Sequence, residues 1–109
     1  LSARATILFS DPINTLWLSP VSIWEIIVKI RIGKLSLTGD IKRIVEGQVR
    51  SNQVKLLPLE VDHVLEGRSL PFHHHDPFDR LLVCQAIATQ MTIVTPDRLI
   101  RQYAVPTEW

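Results

Sequence analysis

The chain has 109 residues, which is the length of one domain and enough to bury an apolar core without disulfide or metal staples. Its net charge of +1 does not indicate any particular class of binding partner. No apolar run approaches the roughly 18 residues needed to span a membrane. The single Cys84 excludes an internal disulfide and, without a signal-peptide pattern, fits a reducing cytoplasm. Because Cys84 lies in an apolar helical pattern, we expect a buried, inert thiol.

The first half of the chain predicts helices that alternate with two strands. Ser19 and Pro20 are the residue types favoured at an N-cap and at the first helical position, and Asp40 is a second candidate N-cap. The predicted elements are a helix ending near Ser10 or Asp11, a strand at residues 15–20, a helix from Pro20 to Gly33, a helix after Asp40 and a strand at residues 54–60.

The second half continues the alternation. Asp76 and Pro77 again have the types of an N-cap and a first helical residue, and Asp97 is a candidate cap for a last helix. The predicted elements are a short helix closed by Pro71, a helix from Pro77, a strand in "MTIVTPD", a helix in "RLIRQYA" and a short terminal strand in "VPTEW". Strands alternating with helices indicate an α/β domain with a mostly parallel central sheet.

Three acidic residues adjoin these predicted strands. Glu25 lies in the helix after the first strand, Asp79 lies in the first turn of the helix "PFDRLLVCQA", and Asp97 follows the strand "TIVT". In open α/β sheets, ligands bind beyond the carboxyl ends of the strands. Acids gathered there would repel one another without a cation, and carboxylates are ligands that Mg²⁺ and Mn²⁺ prefer.

Each acid also has a purely structural explanation, and the residues alone leave both open. Asp76 and Asp97 are N-caps by type and position, and Asp79 interacts favourably with the positive end of its helix. Glu25 is flanked by apolar residues in "VSIWEIIVKI". It either points to solvent, pairs with Lys29 at i+4, or lines a polar cleft.

The motifs "SPVSIWEIIVKIRIGKLSL", "DPFDRLLVCQA" and "TIVTPD", in this order, resemble the PIN-domain family. They resemble in particular the VapC-type toxins of bacterial toxin–antitoxin pairs, over nearly all of residues 1–105. The resemblance implies a PIN-like three-layer α/β fold, with residues 1–109 as one domain, and a Mg²⁺- or Mn²⁺-dependent endoribonuclease. It assigns Glu25, Asp79 and Asp97 to the catalytic metal site, with Asp76 as an accessory acid.

One departure from the family pattern concerns the start of the chain. Family members normally begin with a strand that carries an aspartate in a D-T-H or D-T-N motif, followed by a helix. This chain has neither, so we expect the first βα unit, of about 20 residues or more, to be missing. The cation site would then keep three of its usual four acids. An active enzyme and a catalytically inactive interaction protein are therefore both open.

The resemblance also implies partners, namely RNA, a cognate VapB-type antitoxin and a second protomer in a homodimer. Arg80 either orients Asp79, contacts a phosphate or is a plain surface arginine. Trp17, Trp24 and Ile27 are candidates for the core and, secondarily, for an interface. The possible RNA contacts, with ordinary solvated helix faces as the alternative, are Lys29, Arg31, Lys34, Arg80, Arg98 and Arg101.

The three consecutive histidines His73, His74 and His75 are candidates for a transition-metal site. Consecutive residues of an extended loop point in alternating directions, so at most two of the three would converge on one ion. The alternative is a solvated loop at a helix start, which leaves open that one histidine reaches the acidic cleft or the substrate.

Overall fold

The structure is a computed structural model that describes residues 2–109 and divides them into two compact units. The first unit comprises residues 2–14 and Leu59–Trp109, and the second unit is Thr15–Pro58. Each unit combines helices with one pair of parallel strands, so the α/β class predicted from the sequence is confirmed.

The elements alternate along the chain much as the sequence predicts. They are α1 (Ala3–Ser10), β1 (Trp17–Leu18), α2 (Pro20–Arg31), α3 (Ile41–Arg50), β2 (Lys55–Leu56), α4 (Val61–Leu65), α5 (Pro77–Thr89), β3 (Ile93–Val94) and β4 (Thr107–Glu108), with 3₁₀ turns at Glu66–Ser69 and Ile100–Gln102. β1 pairs with β2 and β3 pairs with β4, each pair forming a two-stranded parallel sheet.

The N-caps predicted for three helices are confirmed. The Ser19 hydroxyl accepts a hydrogen bond from the N–H of Val21 at the start of α2, and a carboxylate oxygen of Asp40 accepts one from Lys42 at the start of α3. At the start of α5, the Asp76 side chain accepts hydrogen bonds from two backbone N–H groups of the first turn. These short polar side chains satisfy N–H groups that a helix leaves without partners in its first turn, which is why the helices begin there.

The prediction of a helix after Asp97 is wrong, because only the 3₁₀ turn Ile100–Gln102 forms there. Ile100 and Tyr103 are 3% and 4% exposed, and both side chains pack in the core of the first unit. Pro106 also disfavours a helical conformation of the preceding residue, and the chain there turns into β4. Tertiary packing and this proline override the local helical pattern.

The core of the first unit forms around α5. Val83 is fully buried and Cys84 is 3% exposed, as we expected for this thiol. Burial raises the pKa of Cys84 above its ordinary value, although the nearby Arg80 charge opposes the shift. Little thiolate therefore forms near neutral pH, and the thiol is a poor nucleophile. The buried core residues are Leu70, Val83, Cys84, Ala86, Ile93, Ile100, Tyr103 and Val105.

The expectation that the tryptophans belong to the core is wrong. Trp17 is 44% exposed and Trp24 is 53% exposed, whereas Ile27 is partly buried. The Trp17 ring lies 5.7 Å from the ammonium nitrogen of Lys55, the residue paired with it on β2. A unit as small as Thr15–Pro58 has little apolar surface with which to cover two indole rings. None of the described helices has the length and apolar composition needed to cross a membrane.

The packing of the first unit predicts a contrast between two isoleucines. Ile100→Ala removes a buried side chain and should lower the free energy of unfolding by about 2–5 kcal/mol. Ile13→Ala, at a position that is 87% exposed, should change it by less than about 0.5 kcal/mol. Urea unfolding followed by circular dichroism measures both values. Equal effects of the two substitutions would contradict the core described above.

Candidate acidic site

The candidate site is built on the first turn of α5. Asp76 has extended backbone angles, and its Oδ1 atom accepts hydrogen bonds from the N–H groups of Phe78 at 2.9 Å and Asp79 at 3.2 Å. Pro77 occupies the first helical position, where its fixed φ suits a helix and its missing N–H costs nothing. Asp76 and Pro77 together fix the backbone that carries Asp79.

The carboxylates of Asp76 and Asp79 lie near each other. One oxygen of each lies within 4.8 Å of the other, and the Asp79 side chain is only 14% exposed. With bonds of 2.0–2.1 Å, oxygens around one Mg²⁺ lie about 3 Å apart in cis and about 4 Å apart in trans. The upper limit of 4.8 Å and the all-oxygen chemistry of this pair are therefore compatible with a hard divalent cation.

His74 contacts the half-buried carboxylate. Its Nε2 atom lies 3.4 Å from Oδ2 of Asp79, and its Nδ1 atom lies 2.9 Å from the Tyr103 hydroxyl. The His74 side chain is 9% exposed, so these polar contacts are largely shielded from water. The possibility left open by the sequence, that one histidine of the trio reaches the acids, is realised by His74, whose burial contradicts a solvated loop at this residue.

Arg80 is held by the first unit from several sides and is not a plain surface arginine. Its guanidinium donates hydrogen bonds to the carbonyl oxygens of Pro71 at 2.7 Å and Leu70 at 3.3 Å, and to the Tyr103 hydroxyl at 3.1 Å. Its Cζ atom lies 3.9 Å from the centre of the Phe72 ring. Such contacts fix the planar guanidinium in one orientation.

Asp97, in the same unit, has its own local bonds. Its Oδ1 atom accepts a hydrogen bond from the N–H of Leu99 at 2.9 Å, and its own N–H donates to the Thr95 hydroxyl at 3.1 Å. Among the described residues, Asp97 does not come within 4.8 Å of both Asp76 and Asp79. The cap-like bond expected of Asp97 is therefore present, although the helix that it was to cap is not.

Glu25 belongs to the second unit, on α2. Its carboxylate forms an ion pair of 3.3 Å with the ammonium group of Lys29, one helical turn later, and its side chain is 24% exposed. Of the alternatives left open by the sequence, pairing at i+4 is thus confirmed. The pair partly offsets the cost of a carboxylate on a mostly apolar helix.

The other two histidines of the trio also lie beside aromatic rings, as His74 does with Tyr103. His73 packs edge-to-face on Tyr103 with ring centres 4.8 Å apart, and His75 lies 5.9 Å from Phe72. His63 is buried, and its Nδ1 atom accepts a hydrogen bond from the backbone N–H of Glu60, the residue that precedes α4. Among the described residues, no histidine belongs to the group of possible metal ligands, so the three-histidine metal site receives no support.

Tyr103 is the polar residue that the sequence did not reveal. It lies 29 residues from His74 and 23 residues from Arg80, and no local pattern links such distant positions. His74 carried a signal, because it belongs to a conspicuous trio that directly precedes Asp76 and lies four to six residues before Asp79. The sequence left open which histidine would reach them, since that depends on the path of the loop.

The fold and the carboxylate pair define an α/β protein with a candidate site for a divalent cation. Comparison with protein families gives a match to the PIN domain over residues 1–106. The chain therefore belongs to the PIN-domain family, whose members are typically metal-dependent nucleases that use divalent ions. Comparisons with curated proteins and with solved structures gave no match.

The double role of Asp76 predicts that its cap and its charge can be separated. Asp76→Ala removes the acceptor for two N–H groups and should lower the free energy of unfolding by about 0.5–2 kcal/mol. Asp76→Asn keeps a capping oxygen and should cost far less stability, while it removes the charge. Urea unfolding without metal ions compares the two variants. Equal losses of stability would contradict the capping role.

Proposed function

We propose that the protein is a Mg²⁺- or Mn²⁺-dependent endoribonuclease, the toxin component of a VapC-type toxin–antitoxin pair. The observation that carries the proposal is the carboxylate pair of Asp76 and Asp79 in a chain of the PIN-domain family. A nuclease with this chemistry needs acidic ligands for the cation and basic residues for the phosphate backbone.

For the cation, we propose Glu25, Asp79 and Asp97 as ligands and Asp76 as an accessory acid. Asp79 is the best supported of these, because it is half-buried and its backbone is fixed by the α5 cap. This set belongs to the PIN-like three-layer arrangement and the single domain over residues 1–109 that we propose from the sequence motifs. The α/β class and the family match support that arrangement at a coarser level.

The residues of the proposed site have to hold the cation in place. A divalent ion in such a site activates a water and offsets charge on the scissile phosphate. Asp79 would hold its carboxylate in place with little reorganisation, because the helix start and His74 already fix it. Negative charge at that position is also favoured by the N-terminus of α5.

The distribution of charge supports RNA as the substrate. The second unit has seven basic and three acidic residues, a net charge of +4, and the first unit has five basic and eight acidic residues, a net charge of −3. Lys29, Arg31 and Lys34 lie exposed at or after the end of α2. Lysines and arginines that neutralise phosphates provide most of the sequence-independent affinity for nucleic acids.

In the first unit, we propose Arg98 and Arg101 as exposed RNA contacts. Arg80 remains a proposed contact as well, but three of its hydrogen bonds are already directed to the first unit. We therefore expect Arg80 to act mainly by holding the loop that precedes α5.

The proposal predicts metal-dependent cleavage of RNA. The full-length protein should cleave labelled single-stranded RNA in Mg²⁺ or Mn²⁺ and be inactive in EDTA. Substitution of any one proposed ligand should lower the cleavage rate by about 100-fold or more, the scale seen when one electrostatic group is removed from an active site. The three substitutions are Glu25→Gln, Asp79→Asn and Asp97→Asn. Asp62→Asn, at an exposed acid on α4, is the matched control and should keep the wild-type rate.

Cleavage in EDTA, or full activity of Asp79→Asn and Asp97→Asn, would contradict the assignment. Thermal melting of each variant separates a loss of chemistry from a loss of folding. If the folded wild-type protein binds a partner but cleaves no RNA, the result favours the alternative of a catalytically inactive PIN-fold interaction protein.

The toxin assignment predicts a phenotype that depends on Asp79. Expression of the wild-type protein in a bacterial cytoplasm should stop growth, whereas Asp79→Asn should not. Co-expression of the VapB-type antitoxin encoded beside it should restore growth and form a complex with both proteins. Size-exclusion chromatography with light scattering tests the proposed homodimer. Growth arrest by Asp79→Asn at the same expression level would overturn the assignment.

A further inference from the structure

A continuous row of polar contacts leads from Arg80 to Asp79 within the first unit. The Arg80 guanidinium contacts the Tyr103 hydroxyl at 3.1 Å, that hydroxyl contacts Nδ1 of His74 at 2.9 Å, and Nε2 of His74 contacts Oδ2 of Asp79 at 3.4 Å. Three of these four side chains come from one short segment, and Tyr103 joins them from the far end of the unit.

The donor and acceptor of each contact follow from the chemistry of the groups. An arginine only donates, so the Tyr103 hydroxyl accepts from Arg80. That hydroxyl has one proton to give, and the acceptor beside it is Nδ1 of His74. The neutral imidazole then carries its proton on Nε2, which donates to Asp79. A charged imidazole has N–H groups at both positions, so Nε2 faces the carboxylate as a donor in either form.

The row is anchored at its far end. Arg80 is fixed by two backbone carbonyls and the Phe72 ring, and Tyr103 is 4% exposed in the core. The positions of the hydroxyl and the imidazole are therefore set by packing before any ligand arrives. A carboxylate held by a fixed donor loses little freedom when it binds a cation, and such outer partners typically tune metal affinity.

We propose that His74 and Tyr103 are positioning residues for Asp79. They fix the imidazole so that it donates to Oδ2 and holds the carboxylate in the orientation used for Mg²⁺ or Mn²⁺. The proposal rests on the proposed function, since it concerns the same cation site. It extends that function to two residues outside the acidic set, one of them remote in sequence.

The test is direct binding of Mn²⁺ to the full-length protein, followed by electron paramagnetic resonance of the free ion. His74→Leu and Tyr103→Phe should weaken Mn²⁺ binding by about 10-fold or more, the range found for outer partners of metal ligands. His74→Gln should recover most of the affinity, because its amide N–H₂ can donate to Asp79. His73→Leu is the matched control, since His73 contacts the same Tyr103 ring only edge-to-face, and its affinity should be unchanged.

Two comparisons make the outcome decisive. Asp79→Asn should abolish Mn²⁺ binding; if it binds like the wild type, the proposed cation site itself fails. If Asp79→Asn loses binding but Tyr103→Phe and His74→Leu bind like the wild type, only the positioning role is overturned. A loss in His74→Leu that His74→Gln does not recover also overturns it.

Stability is measured in parallel by urea unfolding in EDTA. If His74→Leu does not fold, Tyr103→Phe decides, because it removes one oxygen atom and keeps the buried ring. An effect of Tyr103→Phe on unfolding with no effect on Mn²⁺ binding would assign the hydroxyl a purely structural role and overturn the proposal.

Discussion

The hydrogen bonds from the first turn of α5 to Asp76 are the constraint on which the candidate site depends. With Pro77 they fix where the helix begins, and thereby the direction in which Asp79 and Arg80 leave the backbone. The same start sets the phase of α5, which buries Val83 and Cys84 in the core of the first unit. Capping, core packing and the placement of the acid are therefore consequences of one local arrangement.

The partly buried carboxylate of Asp79 and the groups that stabilise it are concentrated around the start of α5. A half-buried carboxylate is costly unless donors and dipoles stabilise its charge. At Asp79, the helix N-terminus and the His74 contact supply that stabilisation without a cation. The basic residues, in contrast, lie mostly in the second unit and remain exposed, so their charges need no such stabilisation.

Features encoded by neighbouring residues could be predicted from the sequence, and features encoded by distant contacts could not. The caps Ser19, Asp40 and Asp76 were predictable because the capping bond spans only two or three residues. The last helix was not, because the burial of Ile100 and Tyr103 decides against it. The pairing of Glu25 with Lys29 was one of the local alternatives that the sequence left open, and the structure shows that this ion pair forms.

The histidine trio shows how the same composition can carry different roles. Neighbouring residues of an extended segment face different ways, so three adjacent imidazoles cannot share one neighbour equally. His73 packs on the edge of the Tyr103 ring, His75 lies beside Phe72, and His74 alone contacts both Asp79 and the Tyr103 hydroxyl. All three imidazoles therefore contact aromatic rings, and His74 adds the two polar contacts. Tyr103 is buried, and its hydroxyl contacts both the Arg80 guanidinium and the imidazole of His74, the histidine that also contacts Asp79.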